Sequence, residues 1–136
     1  MAVHHHPVRV YYEDTDFTGV VYHANYLKFM ERAREHLIGP EALVRLHEED
    51  GVGFVVYRAE LGFKEGAVHG DKLDIRTRVM KESAWRLVFH QDVWREGGAT
   101  ALVEGKVELV CVDRNQKLVQ IPMDVIAELA RFTAGD

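Results

Sequence analysis

The sequence predicts an α+β domain of one long early helix and an antiparallel sheet of five to six strands, which, wrapped around that helix, would bury its apolar stripe. Three observations lead there. One stretch repeats its apolar residues with a helical period, several later stretches repeat them with period two, and the links between those later stretches are of turn length, as antiparallel neighbours require. With 136 residues and 47% apolar content, the chain suits a single domain around one core. Residues 1–136 are therefore read as one unit, with 1–7 as a flexible tail.

The chain opens with MAVHHHP, where His4, His5 and His6 either ligate a metal or belong to a mobile tail. The tail is expected, because histidine runs in loops lack fixed geometry. Val8, Val10 and Tyr12 then alternate with Arg9, Tyr11 and Glu13, a strand with one apolar side. From Asp14 to Gly19 the composition favours a loop. Tyr26, Met30, Ala33 and Leu37 follow at helical spacing, while Lys28, Glu31, Arg32 and Glu35 fall mainly on other faces. Gly39 and Pro40 end that helix, since glycine supplies the terminal turn and proline cannot extend the hydrogen bonding.

A short helical piece, EALVRLHEED, runs to Gly51. Gly53 to Phe63 is β-branched and aromatic, and reads as a strand. Gly51 and Gly53 lack the third glycine and the following helix of a dinucleotide fingerprint. Leu73, Ile75, Thr77 and Val79 alternate with polar residues, Arg86 to Arg95 returns as the next strand, and Ala101 to Cys111 gives the clearest alternation, with Glu104, Lys106 and Glu108 on the polar parity. Asp113, Arg114 and Asn115 form a turn. Leu118, Val119 and Ile121 then lead through Pro122 into a short helix ending at Phe132.

A net charge of −5 argues against a general nucleic-acid binder, which needs a basic face. The single cysteine, Cys111, cannot form an internal disulfide; it sits in an apolar strand as buried filler, and a reducing compartment is expected. No apolar run reaches membrane-spanning length and no signal-peptide core is found, so a soluble cytoplasmic protein is expected. Lys28, Arg32 and Arg34 decorate the early helix, which leaves peripheral membrane contact open beside the ordinary reading of solvated charge.

The candidate site lies where the acidic loop meets the helix. A helix start presents unpaired N–H groups and partial positive charge, which would stabilise a carbonyl oxygen that becomes negative during a reaction. Asp16 lies just upstream, able to offer its carboxylate to a carbonyl carbon or to a water beside one, or else to form a turn. Neighbouring Asp14 and Glu13 are expected to raise at least one carboxyl pKa by like-charge repulsion. A metal site of Asp14, Asp16 and His23 is the lesser alternative. No G-x-S-x-G elbow is present.

The pattern Tyr12, Asp14, Asp16, Gly19, Val20, Val21, Tyr22, His23, Asn25, Tyr26, followed by FMERAREHL, resembles the hotdog-fold acyl-CoA thioesterases of the 4-hydroxybenzoyl-CoA thioesterase family. Its nearest look is to the branch associated with the Tol-Pal envelope system. The resemblance runs from about Val8 to the C-terminal helix. It implies a hotdog fold and an enzyme that hydrolyses an acyl-CoA thioester to free acid and coenzyme A. Asp16 is then the catalytic carboxylate, as general base or nucleophile, and the backbone N–H at about His23 is the oxyanion donor, the His23 side chain being a second candidate for the chemistry. Tyr12, Gly19, Val20, Tyr22, Asn25 and Tyr26 become substrate-binding candidates. For the coenzyme A phosphates the cation pool is Arg58, Lys64, Lys72, Arg76, Arg78, Lys81 and Arg86, from which Lys81 and Arg86 are chosen.

The resemblance further implies no cofactor beyond the coenzyme A of the substrate, no metal, and a homodimer joined edge to edge with active sites at the boundary, dimers pairing into a homotetramer. An acyl-carrier-protein association stays open. A hotdog acyl-thioester dehydratase and a noncatalytic acyl-CoA-binding or envelope-complex scaffold protein are the rival readings.

Overall fold

The helix forms where the apolar period places it. In a computed structural model that describes residues 2–132, α1 spans Asn25–Ile38 and buries Tyr26, Phe29, Met30, Ala33, Leu37 and Ile38. Gly39, at φ 107°, turns its N–H back onto the Glu35 carbonyl at 2.7 Å. Pro40 then opens α2, Pro40–Arg45, and a wider turn over Leu46–Asp50 closes at Gly51 in the left-handed region. The expected long helix is in fact of ordinary length: its 14 residues extend about 21 Å at 1.5 Å per residue.

The strands are β1 His4–Arg9, β2 Gly53–Phe63, β3 Lys72–Lys81, β4 Arg86–Arg95, β5 Ala101–Val112 and β6 Leu118–Val119. They form one antiparallel sheet of six strands in the order β1-β3-β4-β5-β2, with β6 paired to β5. A short helix α3, Met123–Leu129, packs its Val125 and Leu129 into the same core. α1 covers one face of the sheet, and two contacts set how closely. Gln91 of β4 donates its amide to the Met30 carbonyl at 3.0 Å. Gly105 of β5 lies under Met30, where an added Cβ would stand 2.7 Å from Met30 Cε and 2.8 Å from the Gln91 carbonyl oxygen. A side chain at Gly105 would displace the Met30 side chain and press on the β4 backbone.

Four expectations fail, each for a local reason. His4–Pro7 are not a tail: they belong to β1, whose pairs run from His4↔Thr77 to Arg9↔Lys72. Met1 lies outside the described residues. Backbone pairing onto β3 does not depend on side-chain type, and the histidines find partners. His5 Nδ1 meets Asp74 Oδ2 at 2.8 Å, and the His6 ring stacks on His36 with centroids 4.7 Å apart. Burial, reinforced by His36 and Arg32, holds the His6 imidazole below its ordinary pKa.

The first strand also ends earlier than its alternation suggests. Tyr12–Asp14 form one tight 3-10 turn because the Asp14 carboxylate accepts the Tyr11 N–H at 2.9 Å, a local bond that competes with ladder pairing. Arg34, expected on the solvated side of α1, is buried; it sits beside the Met30 and Ala33 stripe and donates from Nη1 to Gln91 Oε1 at 2.9 Å. Glu108, on the polar parity of β5, is buried too, between Arg86 Nη1 at 3.6 Å and Arg58 Nε at 4.0 Å. Cys111 keeps its expected place: it is buried, and desolvation pushes its thiol up to about 12.

Candidate active site

Two loops meet at the start of α1. Thr15–Val21 closes on itself through a bridge between those two residues, and the Asp16 N–H bonds the Val20 carbonyl at 2.9 Å. Gly19 makes this turn possible, with φ 89° and its N–H on the Asp16 carbonyl at 3.0 Å. The second loop follows β2. Val20 bridges to Val68, and the Val21 N–H bonds the Ala67 carbonyl at 2.9 Å. Gly66 permits that approach, since a Cβ there would fall 2.7 Å from Val20 Cγ1.

Between these loops and α1 opens a cleft of about 260 Å³, lined by Asp16, Val20, Val21, His23, Tyr26 and the residues Phe63 to Gly66. Asp16 is partly exposed. Its Oδ1 accepts the Thr18 N–H at 2.8 Å and the Thr18 hydroxyl at 2.6 Å, while Oδ2 takes no bond from the described residues. The like-charge expectation therefore gives way: the two Thr18 bonds, aided by the nearby His23, hold the Asp16 carboxyl below its usual range. Asp16 is both a turn former and a cleft residue, and the turn leaves one oxygen free.

The helix start beside it is bare. Ala24 caps α1 without a side-chain hydrogen bond. The Asn25 N–H is taken by the Tyr22 carbonyl at 2.8 Å, whereas the N–H groups of His23 and Ala24 meet no acceptor among the described residues. Unpaired N–H groups at a helix start are what an oxyanion site requires. The His23 ring rests against Tyr22 and Phe63, with centroids 4.6 Å and 6.1 Å away. Tyr26 is buried with its hydroxyl accepting the Ala67 N–H at 3.2 Å, and burial raises its pKa.

Asp14 does not join Asp16. Its Oδ2 takes the Tyr11 N–H, its Oδ1 takes the Asn25 side-chain amide at 3.0 Å, and its own carbonyl takes the Tyr22 N–H at 2.8 Å. Asp14 and Asn25 thus clamp the acidic loop to the helix start. Replacing Asp14 with Ala strands both donors and is expected to cost about 1–3 kcal/mol, read as a lower urea midpoint.

Of the sequence-predicted substrate contacts, Val20 and Tyr26 reach the cleft. Tyr12 is exposed at the edge of His69, with ring centroids 5.9 Å apart. Tyr22 reaches the cleft only through His23, Gly19 shapes the turn, and Asn25 is spent on Asp14. Lys81 and Arg86 stand at the far end of the sheet. Phe63 pairs with Val103 and Val103 with Val93, so Arg86 lies about 23 Å away along β4 at 3.3 Å per residue. Arg86 is also engaged, its guanidinium 4.4 Å from the Tyr57 ring centroid and paired with Glu82 and Glu108. The cation at the cleft is Lys64, another member of the pool, whose Nζ lies 3.1 Å from an exposed Glu104 carboxylate. Phe63, Glu65 and Gly66 were missed; their signal was the glycine just past the end of β2.

The family model described as "Thioesterase-like superfamily" matches residues 10–129. An acyl-CoA thioester hydrolase of Escherichia coli, YbgC, is 39% identical over 90% of this chain and 92% of that protein. The YbgC acyl-CoA thioesterase of Haemophilus influenzae is 38% identical over 89% of this chain and 90% of that protein. Among solved structures, a probable thioesterase from Bartonella henselae superposes with TM-score 0.81 at 34% identity, over 89% of this chain and all of that one.

Proposed function

This chain belongs to the thioesterase-like superfamily and is a thioester hydrolase, and on that premise we propose that it converts acyl-CoA to free acid and coenzyme A at the Asp16 cleft. The observation that carries the reading is that a carboxylate with one free oxygen and His23, whose N–H is free at the helix entry, line one cleft. Acting as general base, Asp16 takes a proton from water as the water oxygen attacks the thioester carbon. The carbonyl oxygen gathers negative charge against the His23 and Ala24 N–H groups, and collapse expels the thiolate, which takes up the proton. Acting as nucleophile, Asp16 attacks the thioester carbon and expels the thiolate, leaving a mixed anhydride that water cleaves to the free acid and the Asp16 carboxylate. A single turnover in heavy-oxygen water separates the routes, since only the second leaves label in the Asp16 carboxylate when water attacks the Asp16 carbonyl of the anhydride.

β2 is an edge strand, hydrogen-bonded on one side to β5. Two copies joined antiparallel along it would continue the sheet and bring the Gly53 end of one near the Phe63 end of the other. This supports a homodimer with sites at its boundary, and by family analogy a homotetramer in the cytoplasm, in the 4-hydroxybenzoyl-CoA thioesterase family and its Tol-Pal-associated branch. Lys64 is the favoured phosphate contact.

Thiol release from a panel of aliphatic and aromatic acyl-CoA thioesters tests the assignment. Release with turnover supports hydrolysis; dehydration without thiol, or binding without turnover, selects one of the rivals. The Thr18 bonds also set a pH dependence. A rate that needs ionised Asp16 stays flat through neutrality and is lost on acidification, at a pH below the ordinary carboxylate range. Thr18→Ala removes the larger of the two stabilising bonds, so the acid limb of its kcat/KM profile is expected to move to higher pH.

A further inference from the structure

Residues 64–71, the loop between β2 and β3 that walls one side of the Asp16 cleft, are fixed at their ends by backbone bonds. The Lys64 and Glu65 N–H groups share the Leu102 carbonyl at 2.9 Å and 3.1 Å, and the Gly70 N–H bonds the Val10 carbonyl at 2.9 Å. The middle of the loop carries its contacts to the acidic loop and the helix. Ala67 donates to the Tyr26 hydroxyl and accepts from the Val21 N–H, and Val68 bridges to Val20, whose carbonyl takes the Asp16 N–H. Whatever sets the middle of this loop therefore sets where Asp16 stands.

One side chain from elsewhere in the sheet spans both legs of the loop. Arg95, the last residue of β4, donates from Nε to Asp71 Oδ2 at 3.1 Å and from Nη2 to the Gly66 carbonyl at 3.4 Å, while Nη1 stands 3.6 Å from Glu65 Oε1. The same Asp71 oxygen accepts the Val68 N–H at 2.9 Å. Contact thus runs without a gap from Arg95 through Asp71, Val68 and Val20 to Asp16. A guanidinium holds three acceptors at fixed angles with its planar fork, which the point charge of an ammonium does not do. The Glu65 arm is exposed and adds little. The Asp71 arm is different, since that carboxylate is only 17% exposed.

We propose that Arg95 is a positioning residue for the hydrolysis, a brace that holds the 64–71 loop in the shape on which the acidic loop docks. The role rests on the assignment of the reaction to the Asp16 cleft. Arg95 stands behind the cleft wall and not on it, so it acts through the loop and touches no reacting atom.

Amide exchange and steady-state kinetics on the full chain test it together. In Arg95→Ala the Val21 and Ala67 N–H groups, which tie the loop to its neighbours, are expected to exchange about tenfold or more faster while the β5 amides keep wild-type rates, the mark of a local opening. Tm should fall by about 5 °C or less, as for a partly exposed pair. With the opening, kcat for acyl-CoA hydrolysis should fall about 10–100-fold, the scale of a catalytic group misplaced by a remote change. Arg95→Lys keeps the charge but cannot span both legs, so it should follow Arg95→Ala, and it stands in if the alanine variant does not fold. Unchanged exchange at Val21 and Ala67, faster exchange throughout the chain, wild-type kcat in a variant whose loop has opened, or wild-type behaviour of Arg95→Lys would each overturn the proposal. Wild-type protein that turns over no thioester would remove the reading of the cleft, and this role with it; exchange separates the two failures because it reads the loop without substrate.

Discussion

Replacing Asp16 with Asn is expected to lower kcat for acyl-CoA hydrolysis by about 10²–10⁴-fold, the range for removing a positioned general base, while circular dichroism and Tm stay near wild type. The separation is possible because the residue has two tasks on two oxygens. Oδ1 holds Thr18, and an asparagine carbonyl can accept the same N–H and hydroxyl. The uncommitted Oδ2 is the atom to which the proposed chemistry is assigned, and an amide nitrogen there can neither take a proton from water nor attack a thioester. KM should change little, since the cleft walls from Val20, Tyr26 and Phe63 are untouched. A variant that hydrolyses at the wild-type rate in a clean preparation removes Asp16 from the mechanism.

The largest stability loss is expected far from that carboxylate, at Gly105. Its missing side chain is the space that Met30 occupies, and a Cβ would also press on the Gln91 carbonyl of the paired strand. Met30 can rotate away, but backbone cannot. Gly105→Val is therefore expected to cost about 3 kcal/mol, at the upper end for overpacking, and to drop Tm by about 10 °C. Because Met30 sits on the helix that starts the cleft, kcat should fall as well. A Gly105→Val protein melting at the wild-type temperature would show that the helix does not rest on this strand.

The regular elements were legible because each depends on its own period. The α1 stripe, its stop at Gly39 and Pro40, and the strands from Gly53 to Val112 all follow from residues that are neighbours in sequence. The pairing of Asp16 with a helix start was legible too, since a turn and the helix it feeds are adjacent. What could not be read depends on partners distant in sequence. The histidine strand is ordered by β3, more than sixty positions away at every pair. Arg34 goes inward because Gln91, 57 residues on, receives it. Glu108 is buried because arginines from β2 and β4 fold over it. Lys64, and not Lys81 or Arg86, borders this protomer's cleft for the same reason: strand register decides which end of the sheet a cation occupies, and composition carries no register.

The histidine-bearing first strand has a practical side. To someone trimming the gene, MAVHHHP looks like dispensable leader or purification residue, yet cutting there would unzip most of one border of the molecule. The amides and carbonyls of β3 that now face His4–Pro7 would be left as raw fringe, an inviting template for a second clipped molecule to stitch itself onto. Shortened versions should be judged by their clumping before their catalysis is compared.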